Sequence, residues 1–223
     1  MAKITVEQAD RLFQQALPIG LFQSSMEVPE FAKLIANVIR PRHIMEIGTY
    51  TGGTLYLMHL AALAGGASIG VRMSVDLAWP DRGHPEWEQA ESNFKTALPS
   101  LIEIIGNSHD PDTLRRVKGA LWRAGKPANS DTFLDMQISL QPWEPVKLDL
   151  LFIDADHTYE GTKSDFEEYS PLVTRCNGYV AFHDVSNGWS CGDYVRNELF
   201  PKHEHWLIEG PVDHVCGIGV IKL

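Results

Sequence analysis

Acids and histidines fall directly behind two short apolar runs of this chain. Leu150 to Ile153 is followed by Asp154, Ala155, Asp156 and His157, and Tyr179 to Phe182 is followed by His183 and Asp184. Carboxylate oxygens are the natural ligands of a hard divalent cation and an imidazole can add a nitrogen, so Asp154, His183 and Asp184 form a candidate metal set. An imidazole also titrates near neutral pH, which makes His157, and after it His183, the candidate general bases at this rim. The structural alternatives are that Asp156 caps the helix beginning near Tyr159, that His157 caps or orients that helix, and that His183 packs in a crevice wall.

A second cluster is built around glycines. The run Glu46-Ile47-Gly48-Thr49-Tyr50-Thr51-Gly52-Gly53-Thr54 has the spacing Gly-x-x-x-Gly-Gly with an acid two residues before the first glycine. Dinucleotide sites instead carry Gly-x-Gly-x-x-Gly. Glycines permit a tight turn and close approach of a ligand to backbone at a helix N-terminus. Glu46 would serve a pyrophosphate poorly, whereas a cation such as the ammonium or sulfonium of a methionine moiety is attracted to it in a partly dry crevice. Glu46, Gly48, Thr49, Tyr50, Gly52 and Thr54 are therefore the candidate residues of a cofactor turn. Asp76, with Leu77 behind it, ends the next apolar run, and an acid there can accept both hydroxyl protons of a ribose. Asn107 and Ser108 follow the third run and can read the polar edge of adenine. Asp154 belongs to this set as well as to the metal set. Plain structural roles compete here too: Asp110 before Pro111 as an N-cap, Ser108 as a turn residue, Asp76 as a solvated loop acid.

These residues need a scaffold that brings strand ends together. Thr5 and Gln8 have the spacing of a capping box ahead of Leu12, Phe13, Ala16 and Leu17, which predicts an N-terminal helix. A second helix is expected from Pro29, with Phe31, Leu34, Ile35, Val38 and Ile39 on one face, ending at Pro41. Strands are then expected at 43–47, 73–77, 101–105, 148–153 and 179–182, alternating with helices at 54–63, 85–98, 111–122 and 158–173. Such βα units make a mainly parallel sheet. After a short helix at 192–200, the runs 206–208 and 218–221 are too closely spaced for a crossover and should form an antiparallel hairpin. Ligands of open α/β sheets bind beyond the carboxyl ends of the strands, where all the candidates above fall. Trp79 and Trp189 lie in loops at that end, where an indole can stack on adenine or cover an acceptor.

The 223 residues read as one domain, a helical cap over 1–40 and an α/β core over 41–223 with a Pro- and Asn-containing insertion at about 123–145. A net charge of -10 works against a phosphate backbone, so no nucleic acid is expected. No apolar stretch is long enough for a membrane span. The N-terminus lacks a secretory h-region, and Cys176, Cys191 and Cys216 are odd in number and widely spaced, as expected of reduced thiols in a cytoplasmic protein. The N-terminal helices serve equally as a lid or as the contact of a homo-oligomer.

With these residues in view, the chain resembles class I S-adenosylmethionine-dependent methyltransferases. The run from Leu148 through Asp154-Ala155-Asp156-His157-Thr158-Tyr159-Glu160-Gly161 and Tyr169-Ser170-Pro171-Leu172-Val173 to Ala181-Phe182-His183-Asp184-Val185 is similar to the methyltransferase 24 family, the branch of macrocin O-methyltransferase-like and cephalosporin-hydroxylase-type proteins. The resemblance implies a Rossmann-like, doubly wound seven-stranded sheet of order 3-2-1-4-5-7-6 with strand seven antiparallel. It implies S-adenosylmethionine at Glu46, Gly48, Tyr50, Gly52, Asp76 and Ser108, magnesium at Asp154 and Asp184, and O-methylation of a small-molecule hydroxyl. The chain departs from its relatives at His183, where an acid is common, and at Val185, where Asn is common. A nucleotide-dependent oxidoreductase or hydroxylase on the same fold, or a cofactor-binding protein without turnover, are the alternatives.

Overall fold

A computed structural model describes residues 3–21, 26–68, 70–77, 85–126, 144–186, 188–209 and 216–223. Most of the expected insertion, Trp79 and the tip of the C-terminal hairpin lie outside these residues. Five strands, β1 (Ile44–Ile47), β2 (Arg72–Asp76), β3 (Leu101–Ile105), β4 (Leu150–Ile153) and β5 (Tyr179–Phe182), pair in parallel. The strands β6 (His205–Ile208) and β7 (Ile218–Lys222) complete the sheet in the order β3-β2-β1-β4-β5-β7-β6, with β7 antiparallel to both its neighbours. Order reverses between β1 and β4, and that switch point opens the ligand crevice of such a sheet.

Near-continuous apolar runs suit strands covered on both faces. Ile44, Leu150, Phe152, Ala181 and Val220 point to one face, and Met45, Ile47, Met73, Val75, Leu151, Ile153, Val180 and Phe182 to the other; all are buried. The first face is covered by α1 (Val6–Ala16), α2 (Glu27–Leu34), α3 (Gly53–Ala64) and α4 (Pro85–Ala97). The second is covered by α5 (Pro111–Ala124), α6 (Tyr159–Tyr169) and α7 (Ser190–Tyr194). The apolar faces of α1 and α2 are spent inside the molecule, against α3 and the sheet.

The expected capping box is present: the Thr5 hydroxyl accepts from Gln8 N–H and the Gln8 side chain accepts from Thr5 N–H. Asp110 caps α5, accepting from Asp112 N–H. Several boundaries move. The second helix begins at Glu27, two residues before Pro29, because a proline in the first turn sacrifices no intrahelical bond. It closes in a wider turn in which Arg40 N–H reaches back to Ile35 C=O. The helix α5 continues past Trp122 to Ala124, with Gly125 as its cap. The helix α6 is capped by Thr158, not Asp156, and stops at Tyr169 as Pro171 enters a tight 3₁₀ turn. Among the described residues no helix is long and apolar enough to cross a membrane.

One buried cation ties strand β2 to α3. Arg72 is 2% exposed, and its Nε donates to His59 Nδ1 at 3.1 Å while Nη1 donates to Arg42 C=O at 2.6 Å. His59 can accept only while neutral. Burial, and then the Arg72 charge, lower its pKa from the ordinary 6.5 to about 4. The unfolded chain therefore binds a proton that the folded chain refuses between these values, and stability is lost as pH falls from 6.5 towards 4. Melting temperatures at pH 7 and pH 5 should drop less for His59→Gln, which keeps an acceptor that does not titrate, than for the parent. Equal drops would remove His59 as a source of acid sensitivity.

Candidate active site

The strand register brings the candidate residues to one level. Gly48 N–H bonds Val75 C=O, Asp154 N–H bonds Ile47 C=O, and His183 N–H bonds Ile153 C=O, so β1, β2, β4 and β5 end side by side. The turn after β1 needs unusual backbone: Gly48 has φ 83°, Tyr50 φ 50° and Gly52 φ 92°. Gly48 lies so close to the backbone of Asp154 and Ala155 that no Cβ fits. Asp184 is also left-handed, at φ 56°. For non-glycine residues such as Tyr50 and Asp184 this conformation costs about 1–2 kcal/mol, strain of the kind that gathers at functional sites.

A cleft of about 850 Å³ opens over these strand ends, large enough for a nucleoside-sized ligand with a small second one. Gly48, Thr49, Tyr50, Thr54, Asp76, Leu77, Asn107, Ser108, Asp154, His157, His183 and Asp184 all line it, together with Trp189. Two candidates do not. Gly52 faces the ring of Phe94 on α4, where a Cβ would collide, so its glycine serves packing of the turn. Glu46 is only 1% exposed and lies behind the lining. Leu55 N–H and the Thr49 hydroxyl approach its carboxyl, although Oε2 and Thr49 Oγ1 fall short of full hydrogen-bond geometry. Burial, then the nearby charges of Asp154 and Asp76, push the Glu46 carboxyl well above the usual carboxylate range. Asp76 Oδ2 accepts from Tyr50 N–H, which fixes the carboxylate against the turn. Asn107 Oδ1 accepts from His109 N–H at 2.9 Å, so its carbonyl folds the loop, and Ser108 C=O accepts from the buried Tyr169 hydroxyl at 2.9 Å. These features fit an adenosyl amino acid: a tight turn at the cleft wall, an acid at the end of β2, and a buried carboxyl behind them that a cationic group would favour.

Across the switch point, acids surround two histidines. His157 Nδ1 is 2.5 Å from Asp184 Oδ2. His157 remains nearly half exposed, beside the Trp189 ring at 5.7 Å between centroids. The bond to Asp184 raises its pKa against the effect of burial. His183 is far more enclosed. Its Nδ1 lies 3.4 Å from Asp154 Oδ1 and 3.3 Å from Asp184 Oδ1, and its Nε2 lies 3.2 Å from Glu27 Oε1. Burial opposes its charge, but bonds to Asp154, Asp184 and Glu27 outweigh burial and raise its pKa strongly. Asp184 is held well below the carboxylate range despite burial, because both imidazoles bond to it. With carboxylates at both ring nitrogens, His183 has no nitrogen left for a substrate proton, whereas His157 keeps Nε2.

The same rim can hold a cation. Ligands of one ion at about 2.1–2.3 Å stand about 3 Å apart in adjacent positions. The distances of His183 Nδ1 to the Asp154 and Asp184 oxygens, 3.4 and 3.3 Å, are near that spacing. Asp154, His157 and Asp184 form one group of potential ligand atoms within 4.8 Å of one another, and His183, Asp184 and Cys216 form another. Neither group holds Asp154, His183 and Asp184 together, so the expected set is met only pairwise around His183 Nδ1, while the acids and imidazoles of the rim are of a kind that fits a divalent cation.

Two buried acids escape sequence reasoning. Glu27 reaches the site from α2, and its signal was available: it stands four residues before Phe31, on the apolar stripe of a helix, where an acid is out of place. Asp165 of α6 is fully buried, with His109 Nε2 at 3.4 Å, and nothing in its spacing distinguishes it from a surface acid.

Residues 45–185, well over half of the chain, match the family described as a methyltransferase domain, number 24 of that series. The chain belongs to this methyltransferase family. Solved structures share its fold at low identity. An O-methyltransferase from Bacillus cereus in complex with S-adenosylhomocysteine superimposes with a TM-score of 0.53 at 15% identity, covering 98% of this chain and 90% of that one. A methyltransferase of Podospora anserina bound to the same compound gives 0.50 at 15%, covering 100% and 97%. A cofactor-bound protein of MTB, Rv0187, gives 0.51 at 16%, covering 96% and 87%. The seven-stranded order found here is that of the Rossmann-like methyltransferase fold.

Proposed function

We propose that the chain is a single-domain S-adenosylmethionine-dependent methyltransferase acting on the hydroxyl of a small molecule. The observation that carries this reading is the cleft at the β1–β4 switch point, where the strained turn after β1 and Asp76 line the wall and the buried Glu46 carboxyl stands behind them. Family membership and the cofactor-bound O-methyltransferase neighbours support it.

S-adenosylmethionine supplies the methyl group as an electrophilic carbon on a sulfonium. The chain's own residues bind and align. Gly48 lets the ligand approach the backbone, Asp76 accepts from the ribose hydroxyls, Asn107 and Ser108 border the adenine, and Glu46 with Asp154 provides negative charge for the cationic end. Because methyl transfer is an in-line displacement, holding acceptor oxygen, carbon and sulfur in line accounts for much of the rate. His157 receives the acceptor's proton at Nε2, and Asp184, holding Nδ1–H, fixes the ring for that task. Trp189, beside His157, covers the acceptor side. A divalent cation, magnesium or another, held by Asp154, His183 and Asp184, would lower the pKa of the acceptor hydroxyl.

Calorimetric titration of the purified protein with S-adenosylhomocysteine and, separately, NAD distinguishes the cofactor classes. Micromolar binding of the first with no response to the second is expected. NAD binding alone, or binding of neither, would contradict the methyltransferase reading. In a turnover assay over phenol and sugar-hydroxyl acceptors, His157→Ala should lower kcat about 100-fold or more, the usual scale of general-base loss, with S-adenosylhomocysteine affinity kept within about threefold. Unchanged turnover would remove His157 from the mechanism.

A further inference from the structure

Glu27 belongs to the N-terminal helical layer, yet its carboxylate is 0% exposed and ends against His183, behind the cleft lining. Oε2 accepts from Gly217 N–H at 2.9 Å, which ties α2 to the loop entering β7, and Oε1 lies 3.2 Å from His183 Nε2. A carboxylate at Nε2 makes that nitrogen the N–H donor, and in a neutral ring the lone pair then sits on Nδ1. That nitrogen is turned toward the Asp154 and Asp184 oxygens, at 3.4 and 3.3 Å. Two carboxylates facing one ring nitrogen call for a positive centre there, which either the Nδ1 proton of an imidazolium or a divalent cation in its place supplies.

We propose that Glu27 is a positioning residue: it fixes the His183 tautomer so that Nδ1 serves as a nitrogen ligand, and the resulting site takes a divalent transition-metal ion in preference to magnesium. The proposal rests on reading the Asp154–Asp184 rim as a cation site. Its geometry is that of a carboxylate–histidine–metal relay, in which the outer carboxylate orients the ring and raises its basicity. An all-oxygen set suits magnesium, whereas replacing one oxygen by imidazole shifts the balance towards ions such as cobalt or zinc. The chain places a histidine among the rim acids and supplies a buried acid behind it.

The test is calorimetric titration of the full-length protein, without cofactor, with cobalt chloride and with magnesium chloride. The parent should bind cobalt at least 10-fold more tightly than magnesium, the lower end of the range for outer-shell and ligand effects. Glu27→Gln should weaken cobalt about 10-fold or more while magnesium and S-adenosylhomocysteine affinities stay within about threefold. His183→Asp should reverse the preference to magnesium, and it keeps the test open if Glu27→Gln does not fold. Long-range proton–nitrogen NMR of the parent with zinc should show His183 protonated at Nε2 and metallated at Nδ1. Binding of no ion by the parent would overturn the cation reading itself. Cobalt binding unaffected by Glu27→Gln, or magnesium bound as well as cobalt, would overturn this proposal and leave the cation reading standing.

Discussion

The architecture depends on gathering acids at the carboxyl end of the sheet. Glu27, Glu46 and Asp184 are each 3% exposed or less, Asp76 ends β2 and Asp154 follows β4, the strands on either side of β1. Like charges so close in a low-dielectric region repel, and burial penalises each. The protein meets part of the cost internally: His183 stands among Glu27, Asp154 and Asp184, and His157 bonds Asp184. At Glu46 the compensation is weaker: burial and the Asp154 and Asp76 charges outweigh the Leu55 N–H and the Thr49 hydroxyl that meet the carboxyl. Apolar groups there would favour stability, which is the ground for reading the acids as groups that meet a ligand in the cleft.

The sheet itself was legible because its signals are local and agree with one another. Apolar runs such as Ile44 to Ile47 and Leu150 to Ile153 alternate with helical periodicity, and the spacing before β7 leaves no room for a crossover, which sets its antiparallel direction. Site residues at strand ends were legible for the same reason: register aligns Gly48, Asp154 and His183 whatever the loops do. What sequence could not supply is which side chains meet across elements. Glu27 and His183 are 156 positions apart, and only the packing of α2 over the sheet brings them together. Gly52 was read as part of the cofactor turn, although its constraint is the Phe94 ring on a helix whose approach spacing does not encode.

The N-terminal layer consequently has a second meaning. Its apolar stripe of Phe13, Phe31 and Ile35 is consumed by α3 and the sheet, which explains its presence as packing. Glu27 on that stripe also backs the cleft wall, because its carboxylate meets His183 from behind. His157 and Trp189 sit at the open side of the same network, where an acceptor would enter.

The most direct measurement of the central claim, that these acids are kept for a ligand and not for stability, is the pair of melting temperature and S-adenosylhomocysteine affinity for Glu46→Gln. The variant removes the ionisable group and keeps the shape. It should melt at or above the parent's temperature in the absence of ligand, because a carboxyl that burial and neighbouring acids disfavour is gone, and bind S-adenosylhomocysteine at least about 10-fold more weakly, a loss of about 1.4 kcal/mol. Unchanged affinity together with a lower melting temperature would contradict the account and make Glu46 a structural residue.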